Sequence, residues 1–209
     1  VHAATDQALM QQVLDEAGKW VGDVVAPLSR EGDEVGAQFA DGVVTTPPGF
    51  AAAYQDFWQA GWPALACAQE NGGQGLPWVL EGVLYEWLSA ANHGWTMAPG
   101  LLHGAYECIK HHGSEALKAA YLPKVASGEW LATMCLTEAH AGSDLGMVRT
   151  QATPAGDSAL GECYALSGSK NFISGGEHEL TENIVHLVLA RLPGAAAGPK
   201  GLSLTLVPK

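Results

Sequence analysis

The chain has 209 residues, 22 acidic against 10 basic, for a net charge of −12, and 47 % of it is hydrophobic. That length and composition support a sizeable core in one large domain or two small ones. The acidic balance argues against a nucleic-acid surface, which needs Lys and Arg to displace counterions, and no apolar run approaches the roughly 20 residues that span a bilayer.

Cys67, Cys108, Cys135 and Cys163 are far apart, without a C-x-x-C pair. They read as reduced thiols of a cytoplasmic or organelle-matrix protein. The chain begins at Val1 without Met and stops at Lys209 just after an apolar run, so both ends read as cuts in a longer protein.

Taken in chain order, the first two thirds predict helices. Leu9, Val13, Ala17, Trp20, Val21, Val24 and Val25 recur at helical spacing over 5–26, and Pro27 closes that segment. A short helix is predicted over 50–60. The breaker cluster Asn71-Gly72-Gly73-Gln74-Gly75 follows, and Pro77 suits a helix start. Beyond it Leu80, Val83, Leu84, Trp87 and Leu88 form a strongly apolar face. A further helix is predicted over 99–111. Another follows, capped by Ser114 and ended by Gly128.

After Glu129 the period changes. Short runs rich in β-formers occupy 131–136, 148–153, 163–166, 184–191 and 202–207, separated by Gly, Pro, Ser and Asn. Helices followed by strands predict an α+β chain: an N-terminal all-helical bundle over 1–130, then an incomplete antiparallel β-barrel or sheet domain over 131–209.

The apolar run Trp130–Leu136 stops abruptly in Thr137-Glu138-Ala139-His140-Ala141-Gly142-Ser143-Asp144. Clustered backbone N–H groups, the hydroxyls of Thr137 and Ser143, and the bare backbone at Gly142 could cradle a phosphate or the polar edge of a ring. Glu138 and Asp144 could hold the loop's own N–H groups. The same residues also read as a plain β-turn, the simpler reading of this segment alone. A second polar strand end, Gly168-Ser169-Lys170-Asn171-Phe172-Ile173-Ser174-Gly175-Gly176, would set Phe172 and Ser174 on one strand face, an aromatic wall beside a hydroxyl. A core Phe before a surface Ser is the alternative.

Together, "CLTEAHAGSDLG" and "GSKNFISGG" resemble the acyl-CoA dehydrogenase family, the first matching that family's signature loop nearly position for position. Met147 departs from the small residue many members carry. "ENGGQGLP" and "HHGSEALKAAYLPKVASGEW" resemble two helical-domain segments of the family in the right order. "GGEHELTENIVHLVLARLP" resembles the branch containing 3-methylmercaptopropionyl-CoA dehydrogenases.

The resemblance implies a flavoprotein oxidoreductase of fatty acid metabolism that binds FAD, desaturates an acyl-CoA, passes electrons to an electron-transfer flavoprotein and forms a homo-oligomer. It places the cofactor against Met134, Cys135, Leu136, Thr137, Gly142, Ser143, Phe172, Ile173 and Ser174. Leu136 and Thr137 would meet the pyrimidine edge, Ser143 the pyrophosphate and also the acyl-CoA, Phe172 the isoalloxazine wall, and Ser174 the region of N5. No catalytic base is assigned within these residues, because the family's carboxylate lies in a later helical domain; Glu138, Glu177 and Glu179 are poor substitutes. The chain on its own is therefore expected to be inactive and to hold FAD weakly. An acyl-CoA oxidase, a nucleic-acid-associated relative and a ligand-free scaffold are the alternatives. The eight histidines show no metal-ligand spacing, and Trp58, Trp62 and Trp87 fall at helical core positions. His140 could contact a ligand, whereas His111, His112 and His178 read as structural.

Overall fold

The computed structural model of the chain describes residues 6–209; the expected helix start at Thr5 and the chain start at Val1 lie outside the described residues. The Asp6 carboxylate accepts a hydrogen bond from the Ala8 N–H (3.1 Å), capping helix α1 (Gln7–Trp20). The helix then widens into a π-helical turn over Val21–Val25, and Pro27 leads directly into α2 (Leu28–Val35).

Next comes a feature at odds with a purely helical first part. Strands β1 (Gln38–Ala40) and β2 (Val43–Thr45) form an antiparallel hairpin. Its turn is Asp41-Gly42, with φ of 51° and 82°. Two successive positive φ values match the right-handed strand twist, which is why Asp-Gly makes two-residue hairpins.

Helices α3 (Phe50–Gln59), α4 (Trp78–Thr96), α5 (Leu102–His112) and α6 (Glu115–Ser127) follow. Ser114 Oγ caps α6 through the Leu117 N–H. Gly128 ends it at φ 80°, where an added Cβ would also lie 2.6 Å from Pro63 Cγ. The helical core is aromatic. Phe57 and Trp95 meet edge-on with centroids 5.3 Å apart. The Trp95 Nε1–H donates to the Phe50 carbonyl (3.2 Å) and the Tyr54 hydroxyl to the Gly128 carbonyl (2.5 Å), so the polar tips of these rings are satisfied.

Five strands form the second sheet: β3 (Leu131–Cys135), β4 (Gln151–Ser158), β5 (Gly161–Ser167), β6 (Ile184–Arg191) and β7 (Leu202–Pro208). The sheet is open and mixed, not wholly antiparallel: β3 runs parallel to β6, whereas β7 pairs with β6 and β5 with β4 in antiparallel fashion. Parallel neighbours need a long crossover, and the chain between β3 and β6 supplies it with both polar loops and the β4–β5 hairpin. Leu131, Ala132, Val185 and Leu187 belong to the same buried cluster as the helical aromatics, so helices and sheet share one core.

Candidate functional site

Strand β3 ends at Cys135, and the chain turns at once. Glu138 and Ala141 close a tight loop by exchanging backbone hydrogen bonds of 2.9 and 3.0 Å. The Glu138 side chain is the anchor, the residue being only 4 % exposed. Its carboxylate accepts from the Arg149 N–H (2.8 Å), the Thr150 N–H (2.9 Å), the Thr150 hydroxyl (2.6 Å) and Lys170 Nζ (3.0 Å). Burial opposes its ionisation, but these donors outweigh burial and hold its carboxyl at about 2. His140 Nε2 lies 3.3 Å from the same carboxylate and 3.1 Å from the Met147 carbonyl oxygen. Thus His140 helps close the loop while remaining partly open to solvent. Asp144 accepts from the Gly146 N–H (2.9 Å), which starts the short turn over Leu145–Met147.

Arg191, at the end of β6, braces the other side. Its guanidinium donates to the carbonyls of Gly146 (2.7 Å), Val148 (2.7 Å) and Gly198 (2.9 Å), and its backbone N–H donates to the Thr150 carbonyl (2.8 Å). The loop is therefore fixed by one buried carboxylate and one guanidinium.

The second polar segment is joined to the first. The Asn171 N–H donates to the Thr137 carbonyl (2.8 Å), and Lys170 Nζ donates to the Leu136 carbonyl (3.1 Å) as well as to Glu138. Residues 168–173 form no strand. Phe172 has φ 57° and is 91 % exposed. The expected alternation that would pair Phe172 with Ser174 on one strand face is overturned, because a left-handed residue reverses the chain there.

The nine residues singled out from the sequence divide by environment. Met134 is half-buried and packs on the helical core. Cys135 is buried, with Sγ 3.3 Å from Thr133 Oγ1 and 3.9 Å from His186 Nδ1. Ile173 lines the same small hollow as Cys135 and His186. Met134 and Cys135 thus pack their side chains against protein. Leu136, Thr137 and Ser174 are half-buried, whereas Gly142, Ser143 and Phe172 are exposed. At Gly142 an added Cβ would meet nothing within 4 Å, so the backbone there is open to approach. Open N–H groups, a hydroxyl and a bare aromatic face on joined loops suit a flat, anionic cofactor such as FAD.

Lys170, Thr150 and Arg191 brace these loops and were missed by sequence reasoning; the only available signal was Lys170 within "GSKNF". The acids Glu177 and Glu179 are occupied. Glu177 pairs with Lys209, whose hydrogen bond keeps its carboxyl low, and Glu179 accepts from the Thr46 N–H (2.9 Å) and hydroxyl (2.7 Å). Among the described residues no group of three or more His, Cys, Asp or Glu could hold a metal ion, and no helix is long and apolar enough to cross a membrane.

Residues 8–129 match the family model described as acyl-CoA dehydrogenase, N-terminal domain. The chain is 46 % identical over 196 residues to 3-methylmercaptopropionyl-CoA dehydrogenase of Ruegeria pomeroyi, covering 94 % of this chain and 33 % of that protein. It is 40 % identical over 199 residues to a butyryl-CoA dehydrogenase of Syntrophomonas wolfei, covering 94 % and 32 %. The chain therefore spans about a third of these curated relatives. In fold it is similar to the butyryl-CoA dehydrogenase structure from Megasphaera elsdenii (TM-score 0.76, 21 % identity, 97 % of this chain and 49 % of that one). It is similar also to the glutaryl-CoA dehydrogenase structure from Mycobacterium smegmatis (TM-score 0.75, 23 %, 100 % and 47 %). With a matched family model over most of its helical part and relatives of this identity along nearly its whole length, the chain belongs to the acyl-CoA dehydrogenase family.

Proposed function

We propose that the protein to which this chain belongs is an FAD-dependent acyl-CoA dehydrogenase that desaturates an acyl thioester between its α and β carbons. The observation that carries the reading is the Glu138-braced loop, which presents Gly142 and Ser143 beside a segment that exposes Phe172. In this reading Leu136 and Thr137 offer backbone groups and a hydroxyl to the ring's polar edge. Ser143 and the N–H groups around Gly142 bind the pyrophosphate, and Ser143 also meets the acyl-CoA. Phe172 walls the ring, and Ser174 offers a hydroxyl where negative charge develops. Bound FAD would supply the hydride acceptor, chemistry that no side chain offers.

Lys170 and Glu138 act as positioning residues. Lys170, fixed by Glu138, holds the Leu136 carbonyl inward, and the Asn171 N–H holds that of Thr137, so that N–H groups face the ligand. Proton abstraction from the α carbon needs a carboxylate in its charged form with an open lone pair; Glu138, with its carboxylate committed to protein donors, does not fill that role. An electron-transfer flavoprotein as acceptor, a homo-oligomeric assembly and a cytoplasmic or matrix location complete the proposal.

The test is FAD titration of the full-length protein, followed by flavin fluorescence, with Ser143→Ala beside the parent. Ser143→Ala is expected to weaken FAD binding by ~1–3 kcal/mol, the range for a hydrogen bond to a charged group. Unchanged affinity in a folded variant would refute the pyrophosphate assignment.

A further inference from the structure

The carboxylate of Glu179 grips the helical part of the chain. It accepts from the Thr46 N–H with both oxygens (2.9 and 3.0 Å) and from the Thr46 hydroxyl (2.7 Å). Partial burial opposes its charge, but the Thr46 donors outweigh it and keep the carboxyl below its usual range. Thr46 is a stiff point to hold. It follows β2 directly, and Pro47 and Pro48 fix the next two φ angles. The buried Pro47 offers its carbonyl to the Phe50 N–H (3.1 Å), where α3 begins.

At the other end of this tie is the segment that carries Phe172 and Ser174. The Gly176 N–H donates to the Ile173 carbonyl (3.1 Å), closing a turn round Ser174. That turn lies against the end of α4: a Cβ added at Gly175 would stand 3.9 Å from Ala98 Cα and 3.9 Å from His178 Cδ2. Behind the turn, Glu177 pairs with Lys209 on the sheet side, and Glu179 reaches the hairpin on the helical side. In front of it, Lys170 and Asn171 bond to the carbonyls of Leu136 and Thr137. Ile173 turns toward the hollow that Cys135 lines. Among the described residues neither Phe172 nor Ser174 makes a hydrogen bond of its own. Their place is therefore set by the ties before and behind them, and Glu179 supplies the side-chain bonds that join the turn to the helical part.

We infer that Glu179 is a positioning residue for flavin reduction, a role that rests on the FAD-dependent reading proposed above: by gripping Thr46 it sets where the Ser174 hydroxyl stands, without touching cofactor or substrate. A hydrogen bond weakens steeply as its donor leaves line, so a small displacement of that hydroxyl is enough to lose its effect. The Ser143 loop, braced by Glu138 and Arg191, does not depend on this tie.

The test uses the full-length protein with Glu179→Ala and Ser174→Ala, singly and together. Reduction is followed by anaerobic stopped flow with butyryl-CoA, or with the straight-chain acyl-CoA that reduces the parent fastest. Glu179→Ala is expected to slow reduction about tenfold, with FAD affinity unchanged. The double variant should be no slower than Ser174→Ala alone, because the same hydroxyl is lost only once; a merely structural role would multiply the two losses. Hydrogen exchange on the flavin-free protein gives a second readout. Amides at 173–178 should exchange faster in Glu179→Ala, and those at 145–148 at the parent's rate. Melting curves establish folding; if Glu179→Ala unfolds, Thr46→Val, which removes only the hydroxyl donor, takes its place with a smaller effect in the same direction. Reduction at the parent's rate, losses that multiply, or unchanged exchange at 173–178 would each overturn the inference. A full-length parent that binds no FAD would refute the FAD reading instead, and the exchange result would still decide whether Glu179 fixes the Ser174 turn.

Discussion

Replacing Glu138 by Gln keeps the side chain's shape and removes its charge. The buried carboxylate serves four donors of the protein, two from backbone and two from side chains. In the Glu138→Gln variant one of those oxygens becomes an NH2 group that faces N–H donors, and Lys170 loses its counter-ion. The drop of the carboxyl from its ordinary 4.5 to about 2, at ~1.4 kcal/mol for each tenfold in proton affinity, corresponds to ~3 kcal/mol. Because the folded-state value is depressed, this contribution is complete above pH 4.5 and is lost as the pH falls from there toward 2. Glu138→Gln is therefore expected to lower stability by ~2–4 kcal/mol at pH 7. It is also expected to lose less stability than the parent on acidification. Urea denaturation at pH 7, 5, 4 and 3 reads both effects, because the gap between the two proteins should narrow as the pH falls. Equal midpoints at pH 7, or a gap that stays constant down to pH 3, would refute the reasoning.

Phe172→Asn should raise thermal stability by about 0.5–1 kcal/mol, since Asn tolerates a left-handed backbone and the exposed ring loses no burial, while FAD affinity falls; a loss of stability would show that the ring packs on protein. Arg191→Lys should leave the helical part unchanged but speed hydrogen exchange at 145–148 and 196–198, because an ammonium cannot span the carbonyls that the guanidinium joins. Gly128→Ala should cost ~1–3 kcal/mol from positive φ and the collision with Pro63, measurable as a shift in denaturation midpoint.

Elements whose signal is local are legible in the sequence. The apolar stripe from Leu80 to Leu88 marks α4, Ser114 and Gly128 bracket α6, and the run Ile184–Arg191 gives β6 its bounds. The Asp41-Gly42 turn is equally local, but the strands it joins are three residues each, too short to show a period of their own. The mixed sheet is not legible, because pairing direction is set by partners distant in sequence. Within the candidate site the two polar segments stand out by composition. What binds them does not: bonds from Lys170 to Leu136 and from Arg191 to Gly146 join side chains to remote carbonyls and leave no periodic trace. The left-handed turn at Phe172 is hidden because its neighbours suggest an extended strand.

The parallel pairing of β3 with β6 also sets an order of events during synthesis. Thr133 meets its partner His186 only 53 residues later in the chain. The brace at Arg191 comes later still, so an emerging polypeptide can pack its helices well before the Glu138 loop has a neighbouring strand to settle against. Closing so distant a contact costs loop entropy before it returns any burial, which makes it a slow step of assembly. In the interval the apolar edge of Leu131–Cys135 stands unpaired on the surface of a nearly finished helical body. Unpaired apolar strand edges of that kind are what makes a folding intermediate prone to aggregate.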